Sequence, residues 1–383
     1  MKMTRRGLIT TLGIGTAASL LAGAGLTARS AQAQTREAAL AGVYDNGIMQ
    51  LNQNESARGP GPKTLEAIRA HANHRIGRGY SPDHVNELQA ALADTYGLTT
   101  RNILLATGST PLLEGAVHAF CSAERPLATV GPTYATSEGT ARALGYEIRS
   151  VPVDSSMAVD LGGLAAAAKG AGLVYFCNPN NPTGTVHSAA AVESFVRQIM
   201  RDSPDTHILI DEAYIAYVAP SVMQTALPLT AEFANVFITR SFSKAHGLAG
   251  MRIGYAMGQE ATLRNIQLAW GMGDVSMLAA VAAVTALQDK DHLDWEREEN
   301  AQIRAFTTAA LRELGCTVPD SQTNHLFVNL HRSAPAFRDA CLAQKIQLGR
   351  DFPPFQETHT RISLGSREEM RIAVEVFRKV LSA

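Results

Sequence analysis

Short apolar runs alternate with longer helical patterns from about residue 60 to residue 290. This alternation is typical of βαβ units, in which helices join the strands of a largely parallel sheet. Helices fit several of the intervening segments, at residues 111–121, 134–144 and 189–201. The strand candidates are residues 102–106, 127–130, 173–177, 207–210, 236–239 and 252–257. The pattern predicts a large α/β domain with a mostly parallel central sheet, which we place at residues 59–289.

The pattern changes after residue 290. A long, charge-rich helix is predicted at residues 291–314, and strand candidates follow at residues 326–330 and 361–364. Helices fit between and after these strands. We therefore expect a smaller α+β domain, formed by residues 290–383 together with residues 34–58.

The first 33 residues differ in composition from the rest. Arg5 and Arg6 precede an apolar, glycine- and alanine-rich stretch, and small residues suited to cleavage follow at residues 31–33. This order resembles a bacterial twin-arginine (Tat) export signal. An ordinary basic N-terminus before a core helix and an uncleaved membrane anchor are the alternatives. We interpret residues 1–33 as a signal, and because Tat substrates are exported already folded, we expect a periplasmic or secreted protein that folds before it leaves the cytoplasm.

Charge and cysteine content narrow the classes of partner. The 34 Lys and Arg residues nearly balance the 35 Asp and Glu residues, for a formal net charge of -1. No global basic field therefore points to nucleic acid or to an anionic membrane surface. The four cysteines are scattered, without a CxxC pair or a His/Cys cluster, so neither a disulfide framework nor a metal site is indicated. A small-molecule partner is expected.

The most informative segment, residues 241–255, reads SFSKAHGLAGMRIGY. It follows a predicted buried strand, so Lys244 can reach into a cleft and form an imine with a carbonyl compound. Ser241, Ser243 and Arg252 can hold a phosphate beside it. One segment therefore supplies both a covalent anchor and phosphate ligands.

This segment resembles the cofactor-lysine motif of the fold-type I, class I and II aminotransferases, and most of all the histidinol-phosphate aminotransferase branch. The resemblance extends in order over residues 48–381. It implies that pyridoxal 5′-phosphate (PLP) is bound as a Schiff base to Lys244. Asp211 is expected at the carboxyl end of a strand, where its carboxylate can keep the pyridine nitrogen of PLP protonated. Tyr214, three residues later, is implied to contact the phenolic oxygen of PLP.

Further cofactor contacts follow from the resemblance. Residues 178–184 read NPNNPTG, and Asn181 is implied to bond to the phenolic oxygen. Ser109 and Thr110 are expected at a helix N-terminus that holds the phosphate. Tyr134 occupies the position of the aromatic residue that stacks on the PLP ring. Tyr80 corresponds to a tyrosine that reaches the phosphate of the neighbouring subunit, which implies a homodimer with shared active sites.

The residues expected on the substrate side of the site match the family less completely than the cofactor residues do. Arg361 corresponds to the arginine that binds the substrate carboxylate, and Arg350 to a second substrate-side arginine. Asn54 lies in the sequence LNQNES, which resembles a substrate-lining segment of the family but lacks its Asn-Pro continuation and adds Arg58. We expect Arg58 on the substrate side, and this departure leaves the identity of the substrate open.

Reversible transamination between a small amino acid or amine and a 2-oxo acid is the leading function. Because PLP carbanion chemistry can branch, a lyase, racemase, cyclase or oxidase is an alternative. Histidine biosynthesis is cytoplasmic, so an exported relative is expected to serve another pathway. A non-catalytic binding protein is the remote alternative, although Lys244, Asp211 and Arg361 are all present.

Overall fold

The computed structural model describes residues 47–78, 80 and 83–382, and of residues 75 and 78 it describes only the backbone. The Tat-type signal predicted at residues 1–33, and residues 34–46, lie outside this part of the chain. Residues Ile48–Ala383 form one compact unit. The domain boundaries proposed at residues 59 and 290 stay predictions.

Seven strands form a central sheet in the described part of the chain. They are β2 (Ile103–Ala106), β3 (Leu127–Gly131), β4 (Ile148–Pro152), β5 (Leu173–Cys177), β6 (His207–Asp211), β7 (Val236–Ser241) and β8 (Gly254–Met257). Their order in the sheet is β2-β8-β7-β6-β5-β3-β4. Strand β8 runs antiparallel to β2 and β7, and the remaining pairs are parallel. The predicted mostly parallel sheet is therefore confirmed.

Both faces of this sheet are buried, which explains why its strands are almost continuously apolar. In β5, Leu173 and Tyr175 pack into the cluster on one face, whereas Val174 and Phe176 pack into the cluster on the other. Successive side chains of a strand point to opposite faces, so a strand that is covered on both faces, such as β5, needs apolar residues at every position.

Helices cover the two faces and complete the fold. The helices are α1 (Pro62–His71), α2 (Asp83–Tyr96), α3 (Thr110–Phe120), α4 (Thr136–Ala143), α5 (Leu161–Ala167), α6 (Ala189–Asp202), α7 (Pro228–Glu232), α8 (Glu260–Ala269), α9 (Met277–Gln288), α10 (Lys290–Glu313), α11 (Ala334–Ala343) and α12 (Arg367–Leu381). The core on one face of the sheet includes side chains of α2, α5, α6 and α9, and the core on the other face includes side chains of α3 and α8. None of the helices described is long and apolar enough to cross a membrane.

Two small sheets lie outside the central one. Strand β1 (Met49–Leu51) pairs in parallel with β10 (Ile346–Leu348), although about 300 residues separate them in sequence. Strand β9 (His325–Asn329) pairs antiparallel with β11 (His359–Ser363). The segment that follows β1 is therefore held against the C-terminal part of the chain.

Two predictions about strands were wrong in detail. Strand β4 was not predicted, because it lies at the edge of the sheet and its side chains are only partly buried, so its sequence IRSVP lacks an apolar run. The strand predicted from residue 252 begins at Gly254 instead. Arg252 has a left-handed backbone (φ 56°), which ends the preceding turn and cannot continue into a strand.

Candidate active site

A cavity of about 530 Å³ lies at the carboxyl ends of the parallel strands β5, β6 and β7. This is the edge at which open α/β sheets bind ligands. Of the fourteen residues predicted for the site, thirteen line this cavity: Asn54, Ser109, Thr110, Tyr134, Asn181, Asp211, Tyr214, Ser241, Ser243, Lys244, Arg252, Arg350 and Arg361. Tyr80 is the exception among these fourteen, and Arg58, which was also expected on the substrate side, does not line the cavity either. The structure thus brings together residues that are up to 307 positions apart in sequence.

Lys244 is positioned by a tight turn after β7. The backbone N–H of Ser243 donates to Ser241 Oγ (3.0 Å), and the buried Phe242 packs into the core on one face of the sheet. The Lys244 ammonium nitrogen, Nζ, lies 3.4 Å from the carbonyl oxygen of Gln53 and 5.5 Å from the centre of the Tyr214 ring. The amine therefore projects into the cavity.

The surroundings of Lys244 shift it toward its neutral, nucleophilic form. Burial, assisted by the charge of Arg361, lowers the pKa of Lys244 to about 8, although Glu55 and Asp211 act in the opposite direction. An amine with a pKa near 8 is deprotonated in a useful fraction of molecules at neutral pH. The site can therefore supply a reactive amine.

Asp211 is the last residue of β6 and is almost fully buried. Its carboxylate accepts hydrogen bonds from the Tyr175 hydroxyl (3.0 Å), the Thr239 hydroxyl (3.2 Å) and the backbone N–H of Ala213 (3.2 Å). Burial nevertheless raises the pKa of Asp211 to about 6. The raised pKa means that the protein alone does not fully stabilise the negative charge of Asp211. A cationic N–H group next to the carboxylate would stabilise it, and a protonated pyridine would supply such a group.

The phosphate end of the predicted site is built from closely packed backbone. A Cβ atom at Gly108, where φ is +89°, would collide with the Arg252 guanidinium. A Cβ atom at Gly254 would lie 2.5 Å from the backbone of Gly108 and Ser109. Only glycine fits at both positions, so the loop can bring the N-terminus of α3 against Arg252. Backbone N–H groups at a helix N-terminus beside a guanidinium form a suitable site for a phosphate.

Arg361 connects the substrate side of the cavity to Asn181. Its Nη1 donates to Asn181 Oδ1 (2.9 Å) and its Nη2 to the Asn52 carbonyl (2.5 Å). Within the described residues its buried Nε has no hydrogen-bond partner. Burial lowers the pKa of Arg361 to about 10, so it stays protonated at neutral pH. Two of its five N–H groups are thus used, and the remaining ones, which include Nε–H, are left for an acidic substrate.

Arg58 does not lie where we expected it. Its guanidinium binds both carboxylate oxygens of the buried Glu296 (2.5 and 2.6 Å) and donates to the Gly365 carbonyl (3.2 Å). Ser56 also donates to Glu296 (3.0 Å). Ser56 and Arg58, which depart from the family sequence, therefore bind the segment that follows β1 to α10. Arg58 does not line the cavity.

Several residues of the cavity were not predicted. Gln53 and Glu55 flank Asn54, and Gln347 precedes Arg350 closely, so proximity to predicted residues could have indicated them. His325 is different, because it is buried behind the cavity wall and bonds to Asn54. It lies opposite Ser363 in the β9–β11 pair, a pairing that no sequence signal revealed.

Comparison with known proteins agrees with the geometry. Residues 46–377 match the family model described as aminotransferase class I and II. The histidinol-phosphate aminotransferase of Moorella thermoacetica is 31% identical over 345 residues, which cover 89% of this chain and 87% of that protein. The enzyme of the same description from Gluconacetobacter diazotrophicus is 32% identical over 88% of this chain and 92% of its own length.

A solved structure shows the same fold. The histidinol-phosphate aminotransferase of Sinorhizobium meliloti, solved in complex with PLP, superposes with a TM-score of 0.80 at 28% identity, over 88% of this chain and 91% of that one. The family and fold class indicated by the lysine segment are thereby confirmed, while the roles of the individual residues stay predictions. The chain belongs to the class I and II aminotransferase family and is a PLP-dependent aminotransferase of fold type I.

Proposed function

We propose that this protein transfers an amino group between a small amino acid or amine that carries an acidic group and a 2-oxo acid. The observation that supports this proposal most strongly is the convergence of the Lys244 amine, the buried Asp211 carboxylate and the Arg361 guanidinium on one cavity. Lys244 can anchor a cofactor covalently, Asp211 can stabilise the positive charge of its pyridine ring, and Arg361 can bind an acidic group of the substrate.

The residues that would hold PLP fit its chemistry. When bound, PLP withdraws electrons from the substrate Cα and so makes its proton removable. Asp211 would hold the pyridine N–H, and Ser109, Thr110, Ser241, Ser243 and Arg252 would surround the phosphate. The Lys244 amine can take the Cα proton and return it, because its lowered pKa makes it a base at neutral pH.

Arg361 and Arg350 define the class of substrate. Both guanidinium groups lie over the Phe352 ring, Arg361 at 5.1 Å and Arg350 at 4.3 Å from its centre. Two positive charges near one wall of the cavity favour an anionic substrate group, such as a carboxylate or a phosphate. Histidinol phosphate, on which the named relatives act, is one compound of this class.

We expect Arg361→Lys to raise the KM for the amino donor by about 10- to 100-fold, because it replaces a planar pair of N–H donors by a single ammonium group. Steady-state kinetics with a fixed 2-oxo acid measures this change. Arg371→Lys, on the exposed face of α12, is the matched control and should behave as the wild type. An unchanged KM in Arg361→Lys would show that the acidic group binds elsewhere.

A two-step assay tests transamination itself. Purified PLP-loaded protein is mixed with histidinol phosphate, single amino acids or amines, and the absorbance of the bound cofactor is recorded. A true amino donor should change the spectrum and release one keto product, and a 2-oxo acid should then restore the spectrum. Ammonia, carbon dioxide or peroxide released without a 2-oxo acid would instead identify a lyase or an oxidase, and no spectral change with any donor would favour a binding protein.

We also propose that the active unit is a homodimer in which Tyr80 completes the neighbouring site. Tyr80 is fully exposed in the single chain and does not line the cavity of its own subunit. Apolar side chains that include Ile76 and Met277 line a second cavity beside it, of about 430 Å³, which would suit a subunit contact. The flanking residues 79, 81 and 82 lie outside the described part of the chain.

Mixed dimers provide the test of this sharing. Tyr80→Ala should weaken PLP binding so that it is inactive at limiting PLP, and Lys244→Ala should be inactive at any PLP concentration. When the two variants are unfolded together and refolded, statistical pairing should restore about a quarter of the wild-type activity, since half of the dimers then contain one intact site. A mixture that stays inactive would contradict a shared site.

We propose, finally, that residues 1–33 direct Tat-dependent export. Arg5 and Arg6 ahead of a weakly apolar segment support this proposal. Cell fractionation should place the wild-type protein outside the cytoplasm. Changing both arginines to lysine should retain it inside, and equal distribution of the two proteins would rule the signal out.

A further inference from the structure

Asn54 is the centre of a buried hydrogen-bond network at the cavity wall. Its backbone N–H donates to Ser363 Oγ (2.9 Å), and Ser363 Oγ in turn donates to Asn54 Oδ1 (2.7 Å). The Asn54 carbonyl accepts from Asn324 (3.0 Å). Its amide nitrogen lies 3.0 Å from both Tyr214 Oη and His325 Nδ1. Every polar group of Asn54 therefore has a partner.

The direction of these bonds follows from the Asn54 amide and the His325 ring taken together. A backbone N–H can only donate, so Ser363 Oγ accepts from Asn54 N–H, and it directs its hydroxyl hydrogen to Asn54 Oδ1. The amide nitrogen then faces Tyr214 and His325. A flipped amide could donate to the second lone pair of Ser363 Oγ, but in a neutral ring it would require the hydrogen on His325 Nδ1 and would turn a lone pair of Nε2 toward the Pro182 carbonyl. The orientation with the amide oxygen at Ser363 is therefore favoured.

An amide nitrogen also can only donate, so both of its partners must accept. His325 must therefore be unprotonated at Nδ1, and Tyr214 Oη must use a lone pair toward Asn54. This leaves the hydroxyl hydrogen of Tyr214 for a ligand in the cavity. We propose that His325 is a positioning residue, which accepts at Nδ1 and so holds Asn54 in the orientation that directs the Tyr214 hydroxyl hydrogen into the cofactor site.

The surroundings of His325 support a neutral ring. Its side chain is fully buried and meets the Tyr214 ring edge-to-face at 5.1 Å. Burial lowers the pKa of His325 well below 6.5, and the charges of Arg361, Lys244 and Arg304 lower it further. Thr323 Oγ1, also 3.0 Å from Nδ1, can act as a second donor to this atom. The other ring nitrogen, Nε2, is directed toward the Pro182 carbonyl without a bond of good geometry.

The proposal rests on the proposed function in one respect, which is that the Tyr214 hydrogen is received by the phenolic oxygen of PLP. A first experiment avoids this dependence. Histidine ¹⁵N NMR of the cofactor-free protein, with the His325 signal assigned by its loss in His325→Phe, should show a neutral ring that carries its hydrogen on Nε2 at pH 6–8. A protonated ring, or a hydrogen on Nδ1, would overturn the proposal whether or not the protein binds PLP.

A second experiment measures the effect on the cofactor. The absorbance of lysine-bound PLP is titrated with pH, because a hydrogen bond donated to the phenolic oxygen stabilises its anion and lowers the midpoint of this transition. Tyr214→Phe removes the donor and should raise the midpoint by about one pH unit. His325→Phe keeps an aromatic ring but loses the acceptor, so it should raise the midpoint by a smaller amount.

Two further variants separate positioning from general damage. His325→Asn can place an amide oxygen where Nδ1 lies, and it should return the midpoint toward the wild-type value. The double variant His325→Phe/Tyr214→Phe should shift no further than Tyr214→Phe alone, because His325 acts only through the hydroxyl. A midpoint unchanged in His325→Phe, or shifts that add in the double variant, would overturn the proposal. Failure of the wild type to bind PLP would refute the proposed function. The NMR experiment on the cofactor-free protein would then decide the proposal about His325 by itself.

Discussion

Lys244→Ala should lose the absorbance of lysine-bound PLP and lower the rate of transamination by at least about 10²- to 10⁴-fold, the range for loss of a general acid–base. The covalent anchor and the base that moves the Cα proton are removed together. Borohydride reduction followed by peptide mass spectrometry should place the cofactor on the Lys244 peptide of the wild type only. Lys379→Ala, exposed on α12, serves as the control. A reduced cofactor found on any other lysine would refute the assignment.

The same lysine should give PLP capture a characteristic pH dependence. Burial, assisted by Arg361, lowers the pKa of Lys244 to about 8 in the cofactor-free protein. Only the neutral amine attacks a carbonyl, so the rate constant for PLP capture should rise with pH and level off above about 8. Stopped-flow mixing of PLP with cofactor-free protein measures it. A plateau reached only above pH 10 would indicate a solvent-exposed lysine.

Asp211→Asn should have opposite effects on catalysis and on stability. The amide cannot hold a protonated pyridine by charge, so we expect kcat to fall by about 10- to 100-fold, the equivalent of one charge-assisted hydrogen bond. In the cofactor-free protein, however, the buried carboxylate is a cost. Burial raises its pKa from 3.8 to about 6.

The sign of the stability effect follows from proton linkage. Between pH 4 and pH 6 the folded state retains a proton on Asp211 that the unfolded state has lost, so the free energy of unfolding falls as pH rises through this window. Asparagine removes this cost of up to about 3 kcal/mol at neutral pH. Thermal denaturation without PLP should therefore show a raised Tm for Asp211→Asn at pH 7 and little difference at pH 4. A lowered Tm at pH 7 would mean that the carboxylate is stabilised by groups of the protein itself.

The central sheet was predictable because its strands are buried on both faces. Strand β5, which reads LVYFC, has no position at which a polar residue would reach water, and its predicted and observed bounds agree. Strand β4 was missed for the opposite reason, since an edge strand satisfies its side chains partly with solvent. The site residues around Lys244 and Asp211 were predictable because their sequence motifs lie at the carboxyl ends of strands, Asp211 at the end of β6 and Lys244 three residues after β7.

Interactions that depend on long-range pairing could not be predicted. The sequence shows an arginine at position 58 within a substrate-lining segment, but the carboxylate of Glu296 that captures it lies 238 residues later. In the same way, His325 gains its position only from the register between β9 and β11. Local patterns indicate which groups a site contains, whereas the pairing of distant strands decides which of them meet.

The parallel pairing of β1 with β10 has a consequence for synthesis on the ribosome. Met49 and Leu51 are buried in the finished protein, yet their partners in β10 are made about 300 residues later, which at 5–20 residues per second is a delay of roughly 15 to 60 s. During this time the segment that carries Asn54 has no β10 or β11 against which to dock. The cavity can be completed only after the C-terminal strands have emerged, so its substrate side, which includes Arg361 on β11, is the last part of the site to form.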